Sequence, residues 1–433
     1  MAEHQKFKIK SLSDLRFLAE ELNLDIPIRE NLDNLFEPII IAGRKIPNRM
    51  VVQPMEGFDS LPNGAPGELT FRRYSRYASG GSGMIWFEAT GVVQEGRSNP
   101  GQLMLTKDTL GEFKRLVETT RKIARDSYGS SFNPMLVIQL THSGRFSKPQ
   151  GIPTGTFFSE NPYLNPPGLC SRRITDEELD IIRDHYIDAI QLAEQAGFDS
   201  VDIKVSHGYL LHELMAAYNR EGSRYAGSFH QRSSLLKQLV DFPTKLIRSI
   251  RLNASDMIPY PYGFGMNHDG SLKYDLTEPI RLIEELGEQV PFWNITAGIP
   301  YYNPHVNRPY DRGIKGSSKP PEHPLEGVAR LINITGEIQL KIPDIPMVGS
   351  GYSWLRQFFP YVGAGVLSRK MASFIGVGRS SFAYPDAPRD LMMKGSLDPG
   401  KVCTSCSRCT EFMRRGQSTG CSIRDKGIYK SQT

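Results

Sequence analysis

Short apolar runs alternate with amphipathic stretches along most of the chain, from Leu35 onward. Eight of these runs predict strands, and most are continuously apolar, as is typical of strands that are covered on both faces. They are RMVVQP (49–54), GMIWFEA (83–89), MLVIQLTH (135–142), SVDIKV (200–205), IPYPYGFG (258–265), FWNITAG (292–298), IPMVGSG (345–351) and FIGVGR (374–379).

The stretches between these runs have helical spacing. In TDEELDIIRDHYIDAIQLAEQAG, Thr175 and Glu178 have the spacing of a capping box, and Gly197 stands where a helix C-cap belongs. Near the start of the chain, SLSDLRFLAEEL also has apolar residues at helical spacing. These patterns predict helices between the strands and one helix before the first strand.

Alternating strands and helices predict an α/β fold, and eight such units indicate a (β/α)8 TIM barrel. We expect an N-terminal extension over 1–34, the barrel over 35–395 and a cysteine-rich cluster-binding tail over 396–433. An open doubly wound sheet is the alternative, but no GxGxxG fingerprint follows the first strand. In a barrel, chemistry belongs at the carboxyl ends of the strands.

Composition narrows the class of protein. Of 433 residues, 39% are hydrophobic and 23% charged, which suits a globular core, and the net charge of +5 is spread without a basic block. Nucleic acid is therefore not an expected partner. No run approaches the ~18–20 apolar residues of a membrane span. The polar N-terminus lacks a signal-peptide core, so we expect a cytoplasmic protein.

Four of the five cysteines lie close together near the C-terminus. Cys403, Cys406, Cys409 and Cys421 have the spacing C-x2-C-x2-C-x11-C, whereas Cys170 stands alone. Three close cysteines and a distant fourth indicate a [4Fe–4S] cluster, which needs four thiolates. A zinc site with four cysteine ligands is one alternative, although zinc usually favours two C-x2-C pairs. Unliganded cysteines are the other.

Several longer segments carry a resemblance to a known family. They are LFEPIIIAGRKIPNRMVVQPM, EATGVVQEGRSNPG, QLTHSGR, FDSVDIKVSHGYLLHELM, YNREGSRYAGS, IPMVGSG and GVGRSSFAYPD. In this order the chain resembles the old yellow enzyme family of NADH:flavin oxidoreductases. The cysteines further resemble those of its iron–sulfur branch, which includes 2,4-dienoyl-CoA reductase and trimethylamine dehydrogenase.

The resemblance implies an FMN-binding barrel with defined contacts. By this resemblance the ring would be bordered by Pro54, Met55, Glu56 and Ala89, and its pyrimidine edge would be held by Gln139. The phosphate would be held by Gly349, Ser350, Gly351, Gly378 and Arg379. The physics agrees, because glycines let backbone N–H groups approach a phosphate and an arginine adds charge.

The loop KVSHGY would carry the chemistry that the resemblance implies. Two polar residues, Lys204 and His207, would grip a carbonyl oxygen, on which negative charge builds as hydride passes from flavin N5 to the β-carbon of an activated alkene. Tyr209 would protonate the α-carbon as general acid. Lys204 departs from the family pattern, which usually has histidine there. A lysine is a flexible point charge rather than a flat directional donor.

Two further departures concern the flavin. The fifth strand of the family usually carries an arginine beside the N1/O2 edge, and laying PYGFGMN against that pattern puts Gly265 there. Lys204 would then replace the missing charge. Glu56 stands where relatives often have a hydroxyl, thiol or histidine. An ionised carboxylate there would oppose flavin reduction, whereas a protonated one could donate a hydrogen bond.

The favoured function is an FMN- and [4Fe–4S]-dependent ene-reductase acting on a small unsaturated substrate. An amine dehydrogenase of the trimethylamine type is an alternative, with Tyr260, Tyr262, Tyr301 and Tyr302 available for an aromatic cage. A non-catalytic electron-transfer module is another. Larger relatives continue past the cluster, so we expect a separate electron donor: a ferredoxin, a flavoprotein or an NAD(P)H reductase. The sequence leaves open whether the chain forms a homo-oligomer.

Overall fold

Eight parallel strands close into one barrel in the computed structural model, which describes residues 3–164 and 172–430. The barrel strands, in their order around the barrel, are β3 (Met50–Val52), β4 (Met84–Gly91), β5 (Met135–Thr141), β8 (Ser200–Val205), β9 (Ile247–Ser255), β10 (Phe292–Ala297), β11 (Met347–Gly349) and β12 (Phe374–Val377), which pairs with β3. The predicted (β/α)8 class is confirmed, and the open-sheet alternative is wrong.

Two small strand pairs complete the sheets. Strands β1 (Ile39–Ile41) and β2 (Arg44–Ile46) form an antiparallel hairpin, and β6 (Thr156–Phe157) pairs with β7 (Arg172–Arg173). Ile41 and Ile46 of the hairpin pack into an apolar cluster with Val51, Met84 and Met135, which lie at the starts of their strands. The hairpin therefore closes the amino end of the barrel and leaves the carboxyl end as the open one.

Helices surround the barrel and form both extensions. They are α1 (Leu12–Glu21), α2 (Glu68–Ser79), α3 (Leu110–Tyr128), α4 (Asp176–Ala196), α5 (Leu210–Met215), α6 (Phe229–Asp241), α7 (Thr277–Leu286), α8 (Pro304–Asn307), α9 (Pro324–Lys341), α10 (Phe359–Ser368), α11 (Arg379–Ala383), α12 (Ala387–Lys394) and α13 (Arg408–Arg414). Short 3-10 turns cover Asp33–Leu35, Gln94–Gly96, Gly144–Phe146, Gly287–Gln289 and Tyr352–Phe358. In the described part of the chain, no helix is long and apolar enough to cross a bilayer.

The predicted helix signals are present. Thr175 caps α4, with its hydroxyl accepting from the Glu178 amide at 3.2 Å, and Gly197 ends that helix in the left-handed region. Helix α1 begins after Ser11, and its buried Leu15 belongs to the same apolar cluster as Phe359 of α10. The boundaries proposed at 34/35 and 395/396 stay predictions, and Cys170 lies outside the described residues.

The fifth barrel strand corrects the sequence analysis. It is β9 (Ile247–Ser255), not 258–265, and Gly265 lies outside every strand. The run IRSIRLNAS lacks a continuous apolar pattern because Arg251 and Asn253 make polar contacts in the barrel interior. Gly265 instead needs its positive φ of 66° and its missing side chain, since a Cβ there would lie 2.0 Å from the Ala254 carbonyl oxygen.

Candidate active site

A cavity of about 400 Å³ opens at the carboxyl end of the barrel. Most of the residues predicted to contact the flavin or substrate line it together: Pro54, Met55, Glu56, Gln139, Lys204, His207, Tyr209, Ser350, Gly351, Gly378 and Arg379. Ala89 and Gly349 do not belong to this lining; the Ala89 carbonyl accepts a hydrogen bond from Gln102 at 3.0 Å. The predicted residues therefore converge on one site from five barrel strands or the loops after them.

Tyr209, Lys204 and Glu56 form one cluster in the cavity. Tyr209 precedes α5, is 3% exposed, and has its ring 3.7 Å from the Lys204 ammonium. Burial raises the pKa of Tyr209 well above its usual value, and Glu56 raises it further. The phenol is therefore protonated at neutral pH, which is the state a proton donor needs.

Lys204 and Glu56 influence each other's charge. Burial lowers the pKa of Lys204 to about 8, although Glu56 opposes that shift. Burial also raises the pKa of Glu56, whereas Lys204 acts in the other direction. Gln102 donates to Glu56 Oε1 at 2.8 Å and Ser98 donates to the same oxygen at 3.3 Å. Lys204 is thus mostly protonated at neutral pH and loses its proton at a lower pH than an ordinary lysine.

His207 is held as a neutral ring. It has a positive φ of 67°, and burial together with Lys204 lowers its pKa well below the usual value. Asn307 Nδ2 lies 3.0 Å from His207 Nε2 and also donates to the Ala297 carbonyl. Because that nitrogen is a donor, Nε2 accepts, and the ring N–H is on Nδ1.

Arg251 is the cavity residue that the sequence analysis missed. It comes from the fifth strand, lines the cavity and donates to Gln53 and to Asn294 Oδ1, the latter at 3.2 Å. The prediction that Gly265 leaves this strand without an arginine is therefore wrong, and Lys204 has no missing charge to replace. The sequence did contain a signal for this strand: Arg251, Leu252 and Asn253 continue a short run in which apolar and polar residues alternate.

Four more basic residues at the site were not predicted, and Lys148, on the loop after β5, is one of them. Arg308 follows α8, and Arg414 and Arg415 come from the end of α13 in the C-terminal tail. The described lining contains seven basic side chains and one acidic side chain, Glu56. The basic ones are Lys148, Lys204, Arg251, Arg308, Arg379, Arg414 and Arg415. The cavity therefore favours anionic groups.

The four clustered cysteines face a second recess beside this cavity. Cys403, Cys406, Cys409 and Cys421 all line it, and Arg379 lines both spaces. Burial, together with the neighbouring Cys403, raises the pKa of Cys409 to about 12. Among the described residues, no group of three or more His, Cys, Asp or Glu side chains is arranged to hold a metal ion. The cluster stays a prediction.

Comparison with known proteins identifies the family. The model of the NADH:flavin oxidoreductase / NADH oxidase family matches residues 34–305. The chain belongs to this family. It is 26% identical over 388 residues to an NADH oxidase of Thermoanaerobacter brockii, covering 86% of this chain and 53% of that relative. It is also 26% identical over 414 residues to a cinnamate reductase of Clostridium sporogenes, covering 90% of this chain and 57% of the relative.

Solved structures of this family share the fold. A 2-naphthoyl-CoA reductase in complex with 2-naphthoyl-CoA has a TM-score of 0.72 at 18% identity, over 91% of this chain and 57% of that chain. Morphinone reductase has a TM-score of 0.61 at 18% identity, over 86% and 94%. The chain spans between half and three fifths of the length of the NADH oxidase and cinnamate reductase relatives.

Proposed function

We propose that the chain is an FMN- and [4Fe–4S]-dependent ene-reductase, which reduces a C=C bond conjugated to a carbonyl or carboxyl group. The observation that carries the proposal is the position of Tyr209, a buried and protonated phenol that shares one cavity with Lys204 and His207. A pure electron carrier needs no proton donor at such a site. This argues against the non-catalytic alternative.

The cavity fits FMN. Arg379 Nη1 and Arg251 Nε are buried without a hydrogen-bond partner among the described residues, and both side chains line the cavity. Gly351 has a φ of 94°, and a Cβ there would lie 2.5 Å from Leu331 Cδ1. Arg379 and Arg308 would hold the phosphate, and Gln139 and Arg251 would hold the polar edge of the ring. When bound, FMN supplies a hydride for the β-carbon of the alkene.

Lys204, His207 and Tyr209 have two roles in the proposed reaction: they stabilise the carbonyl oxygen and supply a proton. The Lys204 ammonium and the His207 Nδ1–H are donors for the carbonyl oxygen, on which negative charge develops. Tyr209 O–H gives its proton to the α-carbon. Lys204 and Tyr209 are buried, so the Lys204 charge acts more strongly than it would in solvent.

Two observations support an iron–sulfur cluster in the recess. All four clustered cysteines line it, and a [4Fe–4S] cluster needs four thiolates. Their C-x2-C-x2-C-x11-C spacing also lacks the two C-x2-C pairs that zinc usually favours. Backbone amides of Ser405 and Arg424 lie 3.4 Å from the sulfur atoms of Cys403 and Cys421. Such N–H contacts tune cluster potentials. A separate electron donor remains our prediction.

An amine substrate is less well supported. Of the four tyrosines considered for an aromatic cage, Tyr301 lines the cavity, whereas Tyr260 stacks on His268 and Tyr262 packs against Tyr163. A substituted ammonium would also meet the excess of positive charge in the cavity. Both observations favour an acid or an enone over an amine.

The test is anaerobic purification, followed by mixing of the reduced protein with enoates and with amines. We expect bound flavin and iron, and reoxidation of the flavin by enoates. Tyr209→Phe should slow this reoxidation by about 10²–10⁴-fold, the range typical of general acid catalysis, and Tyr302→Phe is the control outside the lining. A protein that binds neither FMN nor iron, or a Tyr209→Phe variant as fast as the parent, would contradict the proposal.

A further inference from the structure

Helix α13 places Arg414 beside the proposed proton donor. The Arg414 guanidinium carbon lies 3.8 Å from the centre of the Tyr301 ring, and its Nη2 donates to the Pro300 carbonyl at 2.9 Å. The Tyr301 hydroxyl is in turn 3.5 Å from the Tyr209 hydroxyl. The stacked ring and the single backbone bond fix the guanidinium and leave most of its five N–H groups for a ligand.

Lys148 reaches the same side of the cavity from a different element. It lies on the loop after β5, and its backbone amide donates to the Arg97 carbonyl at 2.8 Å. Burial lowers the pKa of Lys148, and the charge of Arg414 lowers it further. Within the described residues, no carboxylate forms an ion pair with the side chains of Lys148, Arg414 or Arg415.

Like charges gathered without a counterion are unfavourable, and a bound oxyanion would remove that cost. The other basic side chains of the cavity have separate roles. Arg251 bonds to Gln53 and Asn294, and we assign Arg308 and Arg379 to the FMN phosphate. The single acid, Glu56, is already bonded to Gln102 and Ser98. Arg414 and Arg415 are exposed and Lys148 is half-buried, and no carboxylate among the described lining residues is left to pair with them, so an anion that pairs with Lys148 and Arg414 comes from outside the chain.

We propose that Lys148 and Arg414, assisted by Arg415, form a subsite for an acidic group that the substrate carries away from its reacting double bond. This inference rests on the proposed function and adds the substrate class to it. A second carboxylate and the phosphates of a coenzyme A thioester present the same oxyanion chemistry. Two arms of one experiment distinguish these sources.

The experiment measures ligand dissociation constants from the perturbation of the visible flavin band in the oxidised holoprotein. One arm compares 4-carboxycinnamate with cinnamate, and the other compares crotonyl-CoA with the crotonyl thioester of pantetheine. In one arm we expect the more acidic ligand to bind at least about tenfold more tightly, as an added charge-assisted hydrogen bond implies. Arg414→Gln should abolish this preference, and Arg414→Lys should keep much of it.

Two other variants keep the result interpretable. Lys148→Gln, on a separate loop, should reduce the same preference and serves if Arg414→Gln loses its flavin. Arg125→Gln, on the exposed side of α3, should change nothing. Equal binding within both ligand pairs by the parent protein would overturn the subsite, as would a preference that survives both subsite substitutions. Failure of the reduced parent to turn over any enoate would instead count against the ene-reductase, because the binding constants do not depend on turnover.

Discussion

Lys204 is buried with its ammonium 3.7 Å from the Tyr209 ring, and burial lowers its pKa to about 8, so its charge depends on pH, although Glu56 opposes that shift. A lysine in place of the usual histidine gives a full positive charge at neutral pH. That charge suits an anionic enoate, for which a neutral imidazole would offer a single hydrogen bond. The lysine at position 204 is thus better explained by the charge of the substrate than by the charge of the flavin.

Binding of an enoate should weaken as the pH rises through about 8. The pKa of Lys204 is lowered from 10.5 to about 8, so the cation is present below that pH and is lost above it. We expect the dissociation constant of cinnamate, measured from the flavin band, to rise above pH 8 in the parent protein. Lys204→Met should bind more weakly at pH 7 and show no such step. A step of equal size in that variant would exclude Lys204 as its cause.

At the scale of elements, strand β9 carries a charge that lines the proposed flavin cavity. Arg251 is buried and bonded to Gln53 after β3 and to Asn294 on β10, so three strands fix its position. Burial lowers the pKa of Arg251 to about 10, which still leaves it cationic at neutral pH. The strand therefore presents a fixed positive charge to the cavity, where by our proposal it would face the negative charge of a reduced flavin.

Replacing Arg251 should make the flavin harder to reduce. A hydrogen bond to a charged group contributes about 1.5–3 kcal/mol, and ~1.4 kcal/mol corresponds to about 30 mV for a two-electron couple. We expect Arg251→Met to lower the flavin potential by tens of millivolts, measured by dye equilibration, and Arg251→Lys to lower it less. Thermal unfolding of each variant controls for the buried bonds to Gln53 and Asn294. An unchanged potential in the methionine variant would remove Arg251 from the flavin edge.

The contrast between β8 and β9 shows how far the sequence predicts the elements. The run SVDIKV is predicted with its bounds as observed, because its apolar side chains alternate strictly with polar ones. The run IRSIRLNAS interrupts its apolar residues with Arg251 and Asn253, whose polar contacts inside the barrel exist only once distant strands are assembled. A rule based on continuous apolar runs therefore fails where the barrel interior is polar, which is where the site lies.

At the scale of the whole molecule, the tail joins the barrel at several points. The Thr419 amide donates to the Gly57 carbonyl at 2.6 Å, next to Glu56, and Asp425 pairs with Arg72 and Arg76 of α2. Arg414 and Tyr209 both contact Tyr301 and are about 200 positions apart in the sequence, and local patterns contain no information about such an arrangement. The motifs around Tyr209 were enough to predict the proposed chemistry. The excess of basic side chains in the cavity became apparent only from the fold.

Loss of the cluster should weaken substrate binding before it weakens flavin binding. Cys409 lies within α13, so the proposed cluster anchors the helix that carries Arg414, whereas the flavin contacts lie on the barrel. We expect Cys406→Ser to lose iron and to retain FMN. Metal analysis and the absorbance of the cluster near the flavin bands measure the loss. Its affinity for 4-carboxycinnamate should approach that of Arg414→Gln. Cys170→Ser should retain its iron, and iron retention by Cys406→Ser would contradict the ligand assignment.

Arg379 borders both the large cavity and the cysteine recess, and this single guanidinium limits how far apart their two occupants can be. Electrons tunnel rapidly over the width of one side chain, so exchange between the two centres would be faster than any bond-breaking step. Turnover would then be limited by another step, such as substrate binding, the transfer of hydride and proton, or product release. Substitutions of Lys148, Arg414 or Arg415 should accordingly change steady-state rates more than substitutions of residues that lie, like Arg379, between the flavin and the cluster.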